Sequence, residues 1–201
     1  MRPWSFCTSW GHAITVRSPR TLGRMATSLS TSIRHSVRIG GSTKPELLSR
    51  LQTAEVQLNA YARALFADPR FVIAPEPSLL SAVEIAVGEL GLPQGGTFDR
   101  VSQRASELGF SLCPLEVGPF LRLQWLDQAD DPLGHPGSHG RAPPGSITIA
   151  SSPISSNEDD PKGFYLRRVN GVLWLRGYRS WAGHVLAPDD RLVFCQSTNT
   201  A

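Results

Sequence analysis

The residues best equipped for chemistry gather near the end of the chain, in "GFYLRRVNGVLWLRGYRS" (residues 163–180), where tyrosine, tryptophan and arginine alternate with aliphatic positions around Asn170-Gly171. Asn-Gly between two such runs predicts a hairpin with a type I′ turn, because both central residues must take positive φ. A two-residue loop sets Tyr165 opposite Arg176, Arg167 opposite Trp174 and Gly163 opposite Tyr178. Opposed residues share a face of the sheet. One face then carries Phe164, Leu166, Leu173 and Leu175, with Arg168 and Arg179 nearer the ends, and reads as a core face. The other carries Tyr165, Arg167, Trp174, Arg176 and Tyr178, an arginine–aromatic ladder. Arginine against an aromatic ring stabilises a sheet by about 0.5–1 kcal/mol per exposed pair with no ligand present. The same face also suits a phosphate, a nucleotide base or an acidic segment of a protein partner.

Proton-transfer chemistry has fewer candidates. Glu116 could act as general acid or base, with Arg122 holding an anion across "VGPF", and His184 could join them from beyond the hairpin. Arg176 and Arg179 are further anion holders for such a site. Cys113 follows "FSL" and reads as a buried thiol, since a nucleophile needs a neighbour that stabilises the thiolate. His135 and His139, near Asp127, Asp130 and Asp131, have a spacing that could hold a metal, but the Pro and Gly between them favour a mobile polar loop. No metal or cofactor is therefore expected. "GGSTK" (40–44) lacks the full phosphate-loop pattern, and no such motif occurs elsewhere, which excludes an ATP-driven motor.

Charge narrows the partners. Of 20 basic and 17 acidic side chains, seven basic and no acidic ones lie in residues 1–45, so the remainder holds 13 against 17 and is mildly acidic. A basic footprint across the domain, as nucleic acid would require, is missing. Residues 1–36 read either as an organellar transit peptide or as a disordered, dispensable extension, with Met25 as an alternative start. No run approaches the ~20 apolar residues of a membrane helix. Cys7, Cys113 and Cys195, odd in number and widely spaced, argue for reduced thiols and a cytoplasmic protein.

These side chains must be positioned by a small set of elements. Thr43 with Glu46 forms a capping box, and Leu47, Leu51, Ala54, Leu58, Tyr61 and Leu65 then predict one helix running to about Phe66. Residues 79–87 alternate as a half-buried strand with Leu79, Val83, Ile85 and Val87 on one face. Thr97 caps a second helix, Phe98 to Leu108, ended by Gly109. Residues 119–126 alternate as a strand, 127–145 form a flexible loop, and "SITIAS" and "RLVFC" supply further strands. The order predicts a single α+β domain over 37–201, an antiparallel sheet of about five strands with two helices on one face.

In "VRIGGSTKPELLSRLQTAEVQLNAYARALF", "LCPLEVGPFLRLQWLDQ" and "PKGFYLRRVNGVLWLRGYRS" the chain resembles a group of small, mostly uncharacterised bacterial proteins, some labelled helicase. The resemblance covers about residues 37–195 and implies no site residues; the helicase label finds no nucleotide-hydrolysing motif to support it. The leading expectation is a binding or interaction module whose ligand or partner meets the hairpin through Arg122, Tyr165, Arg167, Trp174, Arg176, Tyr178 and Arg179. The alternatives are a small enzyme acting on a phosphate-containing or RNA substrate through Glu116 and His184, and a nucleic-acid-associated protein aided by the basic N-terminal arm.

Overall fold

The computed structural model describes residues 32–131 and 142–196. Cys7, His135, His139 and most of the N-terminal extension lie outside the described residues. Among the described residues ten strands are formed: β1 (Ile33–Ile39), β2 (Gln57–Leu58), β3 (Ser78–Ala86), β4 (Gly96–Thr97), β5 (Phe110–Ser111), β6 (Ile147–Ile149), β7 (Gly163–Val169), β8 (Val172–Tyr178), β9 (Val185–Leu186) and β10 (Arg191–Gln196). Four α-helices join them: α1 (Lys44–Thr53), α2 (Ala60–Ala67), α3 (Phe98–Glu107) and α4 (Val117–Gln124). Eight strands make one curled sheet in the order β1-β3-β10-β6-β7-β8-β2, with β5 on β10, while β4 and β9 form a separate ribbon. The class is α+β, but the sheet is larger than five strands and mixed, since β10–β6 and β2–β8 run parallel. No helix among the described residues is long and apolar enough to cross a membrane.

The sheet is covered on both faces, not one. Side chains alternate along β10, so Val193 points into a core under α1, α2 and α4, while Leu192 and Phe194 point into a second core under α3. Phe164 and Leu166 on β7 and Leu175 on β8 fill the first core with Phe66, Phe71 and Phe120. Strand β3 is accordingly buried on both sides over its C-terminal half: Ala82 meets the first core, Val83 and Ile85 the second, and Leu79 is exposed. The half-buried reading of this strand fails because periodicity reports one covered face and α3 supplies another. Strand β1 begins inside the segment read as a dispensable extension, and its Val37 and Ile39 are buried in the first core.

Two elements depart from the sequence reading. The first helix has its predicted capping box, with Glu46 Oε2 accepting from the Thr43 amide at 2.7 Å, but it stops at Thr53. Glu55 takes φ +56° and the chain turns out, letting Gln57 and Leu58 pair with Trp174 and Leu175 of β8. Asn59 then caps α2 by accepting from the Ala62 amide at 2.9 Å. Strand pairing outweighs the continuity of the apolar stripe, a tertiary override of helix propensity. Residues 117–124 are a helix, α4, where a strand is expected at 119–126. Residues 117–122 are buried on every side, Arg122 included, so their apparent alternation carries no face information. Pro119 sits in the first turn, where its missing N–H breaks no helical bond. The hairpin matches its predicted register pair for pair, and Asn170 and Gly171 both take positive φ.

Candidate functional site

Helix α3 packs over the part of the sheet made by β3, β5 and β10. Past β10 the same face continues through a row of register partners, Leu192, Thr148, Tyr165 and Arg176, on β10, β6, β7 and β8. Over this half lies a cavity of about 490 Å³. Its floor is the sheet, with Thr148, Tyr165 and Tyr178. Its walls are Phe98 and Asp99 from the first turn of α3, Pro143 and Pro153 from the connections around β6, Trp181 and His184 from the loop before β9, and Leu186 of β9 itself. A turn closed by the His184 amide on the Trp181 carbonyl at 3.0 Å holds these two rings edge to face, centroids 5.0 Å apart. Trp181 is more than half exposed at the mouth.

Two hydroxyls meet at the floor. A methyl group built on Gly163 would stand 3.1 Å from Ser151 Oγ and 3.2 Å from the Tyr178 hydroxyl, so both oxygens pack closely against the glycine. Ser151 is 1% exposed, and its Oγ has no hydrogen-bond partner among the described residues. Burying a hydroxyl without a partner costs about 1–3 kcal/mol, an outlay that a hydrogen bond from a ligand would offset. Burial pushes the Tyr178 hydroxyl up to about 12, which keeps it a hydrogen-bond donor at any ordinary pH. The associated stability is present in full below the ordinary tyrosine range and is lost as pH climbs from there through about 12. An absorbance titration should therefore show a late tyrosinate step that Tyr178→Phe removes, with a flatter alkaline loss of stability in the variant.

The cations around this cavity are already engaged. Lys162 Nζ donates to the carbonyls of Ser155 at 3.1 Å and Asn157 at 2.5 Å. Arg179 lies 3.3 Å from Asp159 and stacks over Tyr61 at 5.3 Å. Asp99 and Glu158 line the same space, so its formal charges balance.

Of the residues singled out from sequence, the cavity brings together Tyr165, Tyr178, Arg179 and His184. The rest of the ladder is turned to internal use. Arg176 stacks on Trp174 at 4.8 Å and sits beside the Tyr165 hydroxyl, which burial raises above its ordinary acidity range against the pull of Arg176 and Arg167. Arg167 is 3% exposed and meets Asp131 at 2.5 Å. Arg122 is fully buried in the first core and donates to Gln128 Oε1 at 2.6 Å and to the Trp125 carbonyl; burial, then Arg168, push it down to about 10. Glu116 is also buried on that side, accepting from the Ala74 amide at 3.2 Å, and burial holds it above the ordinary carboxylate range. It does not line the cavity, so it and His184 do not converge.

Sequence reasoning passed over Ser151, Gly163, Phe98 and Trp181. Ser151 and Gly163 are small and lack any local pattern, and only the β6–β7 pairing brings their segments together. Trp181 next to the ladder was the one available signal. Among the described residues no group of three or more His, Cys, Asp or Glu side chains is placed to hold a metal ion. Comparison of the chain with protein-family models, with curated proteins and with solved structures finds no match.

Proposed function

We propose that the protein is a binding module that takes a small, planar and largely uncharged ligand in the cavity at the open end of the β7–β8 hairpin. The observation that carries this reading is Ser151 Oγ, buried at the floor with no hydrogen-bond partner among the described residues and packed, like the Tyr178 hydroxyl, against Gly163. A volume of about 490 Å³ falls in the range of small-molecule sites. The aromatic walls supply apolar and stacking area, and the two hydroxyls fix orientation. Phosphate is disfavoured, because Lys162 and Arg179 already serve protein oxygens and two carboxyl side chains share the lining. The runner-up, an enzyme using Glu116 with His184, has less support, since the two are held in different parts of the molecule.

The test is calorimetric titration of the chain with uncharged fused-ring heterocycles, nucleosides among them, each beside its phosphorylated counterpart. The uncharged member of a pair should bind more tightly. Tyr178→Phe and Ser151→Ala should each weaken binding about tenfold, the loss of one hydrogen bond. Tighter binding of the phosphorylated members, or unchanged affinity in both variants, would return the site to an anion or to another surface.

A further inference from the structure

A second chemical site lies in the interior, independent of the cavity. Cys113 follows β5, and Cys195 is near the end of β10; both are buried thiols, with their sulfurs 2.9 Å apart. The contact is set by backbone. Ser111 on β5 is the register partner of Cys195, and the Cys113 amide donates to the Ala150 carbonyl at 2.7 Å while the Ala150 amide donates to Val193 at 3.0 Å. Two side chains so fixed need only a small movement to bond. Eighty-two positions separate them in the chain, which is why spacing alone suggested unpaired thiols.

We propose that Cys113 and Cys195 form a thiol–disulfide exchange pair that a low-molecular-weight disulfide closes and a dithiol opens, locking the C-terminal strand to the segment between β5 and α4. The strand pairing β5 to β10 has only two register pairs and lies at the end of β10, so local fraying gives an exchange partner access. Cys195, one residue from the end of β10, is the first nucleophile: the Cys113 sulfur beside it holds its thiol below the ordinary range, while Cys195 and burial hold Cys113 above it. The Cys195 thiolate attacks one sulfur of glutathione disulfide and expels one glutathione thiolate. Cys113 then gives up its proton to solvent and attacks the Cys195 sulfur of the mixed disulfide, expelling the second thiolate. Two protein thiols have become one disulfide, and the incoming disulfide has been reduced to two thiols.

The experiment uses the full chain with Cys7→Ser, so that two thiols remain, equilibrated folded with glutathione disulfide. Both thiols should disappear together, with a mass loss of about 2 Da, no lasting glutathione adduct and reversal by dithiothreitol. Peptide mapping should return a Cys113–Cys195 cross-link, and Tm should rise by about 5–15 °C over the reduced chain. Two thiols still titrating after equilibration, or a stable adduct on one of them, would overturn the proposal. Cys7→Ser, Cys113→Ser should accumulate a glutathione adduct at Cys195; lack of any adduct there would remove Cys195 as the entry point. Neither result bears on ligand binding in the cavity.

Discussion

Replacing Asp131 with alanine should lower stability by about 3–5 kcal/mol, the usual loss when one partner is removed from a buried ion pair. Arg167 lies on the ladder face of β7 at 3% exposure, and its Nη2 meets Asp131 Oδ2 at 2.5 Å. The backbone reinforces the contact: the Asp131 amide donates to Arg168 at 3.1 Å, and the Asp130 carboxylate accepts from the Gly171 amide at 3.1 Å. Residues 130 and 131 therefore close the turn end of the hairpin. Taking away the carboxylate removes a close counter-charge from a buried guanidinium. The double variant Asp131→Ala, Arg167→Met should recover much of the loss, because a buried pair replaced by apolar side chains is often neutral in net stability. Urea unfolding of the two single variants and the double variant at neutral pH measures this. A loss below about 1 kcal/mol for Asp131→Ala would place the pair among surface contacts of small effect.

Gly177→Ala should cost about 3 kcal/mol, at the upper end for an added methyl group in a packed site. A Cβ there would lie 2.6 Å from the Tyr61 carbonyl carbon and 2.7 Å from the Ala62 nitrogen, both backbone atoms that cannot swing aside. The same glycine exchanges two hydrogen bonds with Asn59, its amide donating to Oδ1 at 2.8 Å and its carbonyl accepting from Nδ2 at 2.9 Å. Moving α2 away would strain the cap that starts it. Gly171→Ala is the control: its φ is +77°, but a Cβ meets nothing within 4 Å, so only backbone strain of about 1–2 kcal/mol applies. Equal losses in the two variants would refute the close approach of α2 to β8. Tyr178 follows Gly177 directly, so ligand affinity should fall with stability in Gly177→Ala but not in Gly171→Ala.

Features written in local pattern were legible. The Thr43 capping box, helix α3 with its Thr97 cap, and the hairpin register each depend on a few neighbouring residues, and each is present. Features decided by distant partners were not. Asn59 is a favoured cap residue standing inside an apolar stripe, and only β8 explains why it ends one element and begins another. Residues 117–122 of helix α4 are all buried, so their composition fits strand and helix alike. The ladder was read correctly as a face, and its side chains divide between internal contacts and the cavity. Its turn end meets Asp131, which sequence had grouped with two histidines, and its open end meets Ser151 and Trp181, which carry no motif.

The docking of two residues, Gln57 and Leu58, on the outer side of β8 has a consequence for self-association. The run Val172–Tyr178 is rich in strand-forming side chains, and an uncovered rim of that kind is a template for a second chain and for fibrillar stacking. Here β2 occupies the middle of that rim, and the Asn59 side chain takes the Gly177 backbone groups beyond it. At the far rim, β1 carries Arg34 and Arg38, charges that resist another strand's approach. The interruption between α1 and α2 thus guards the molecule against polymerising through its own hairpin.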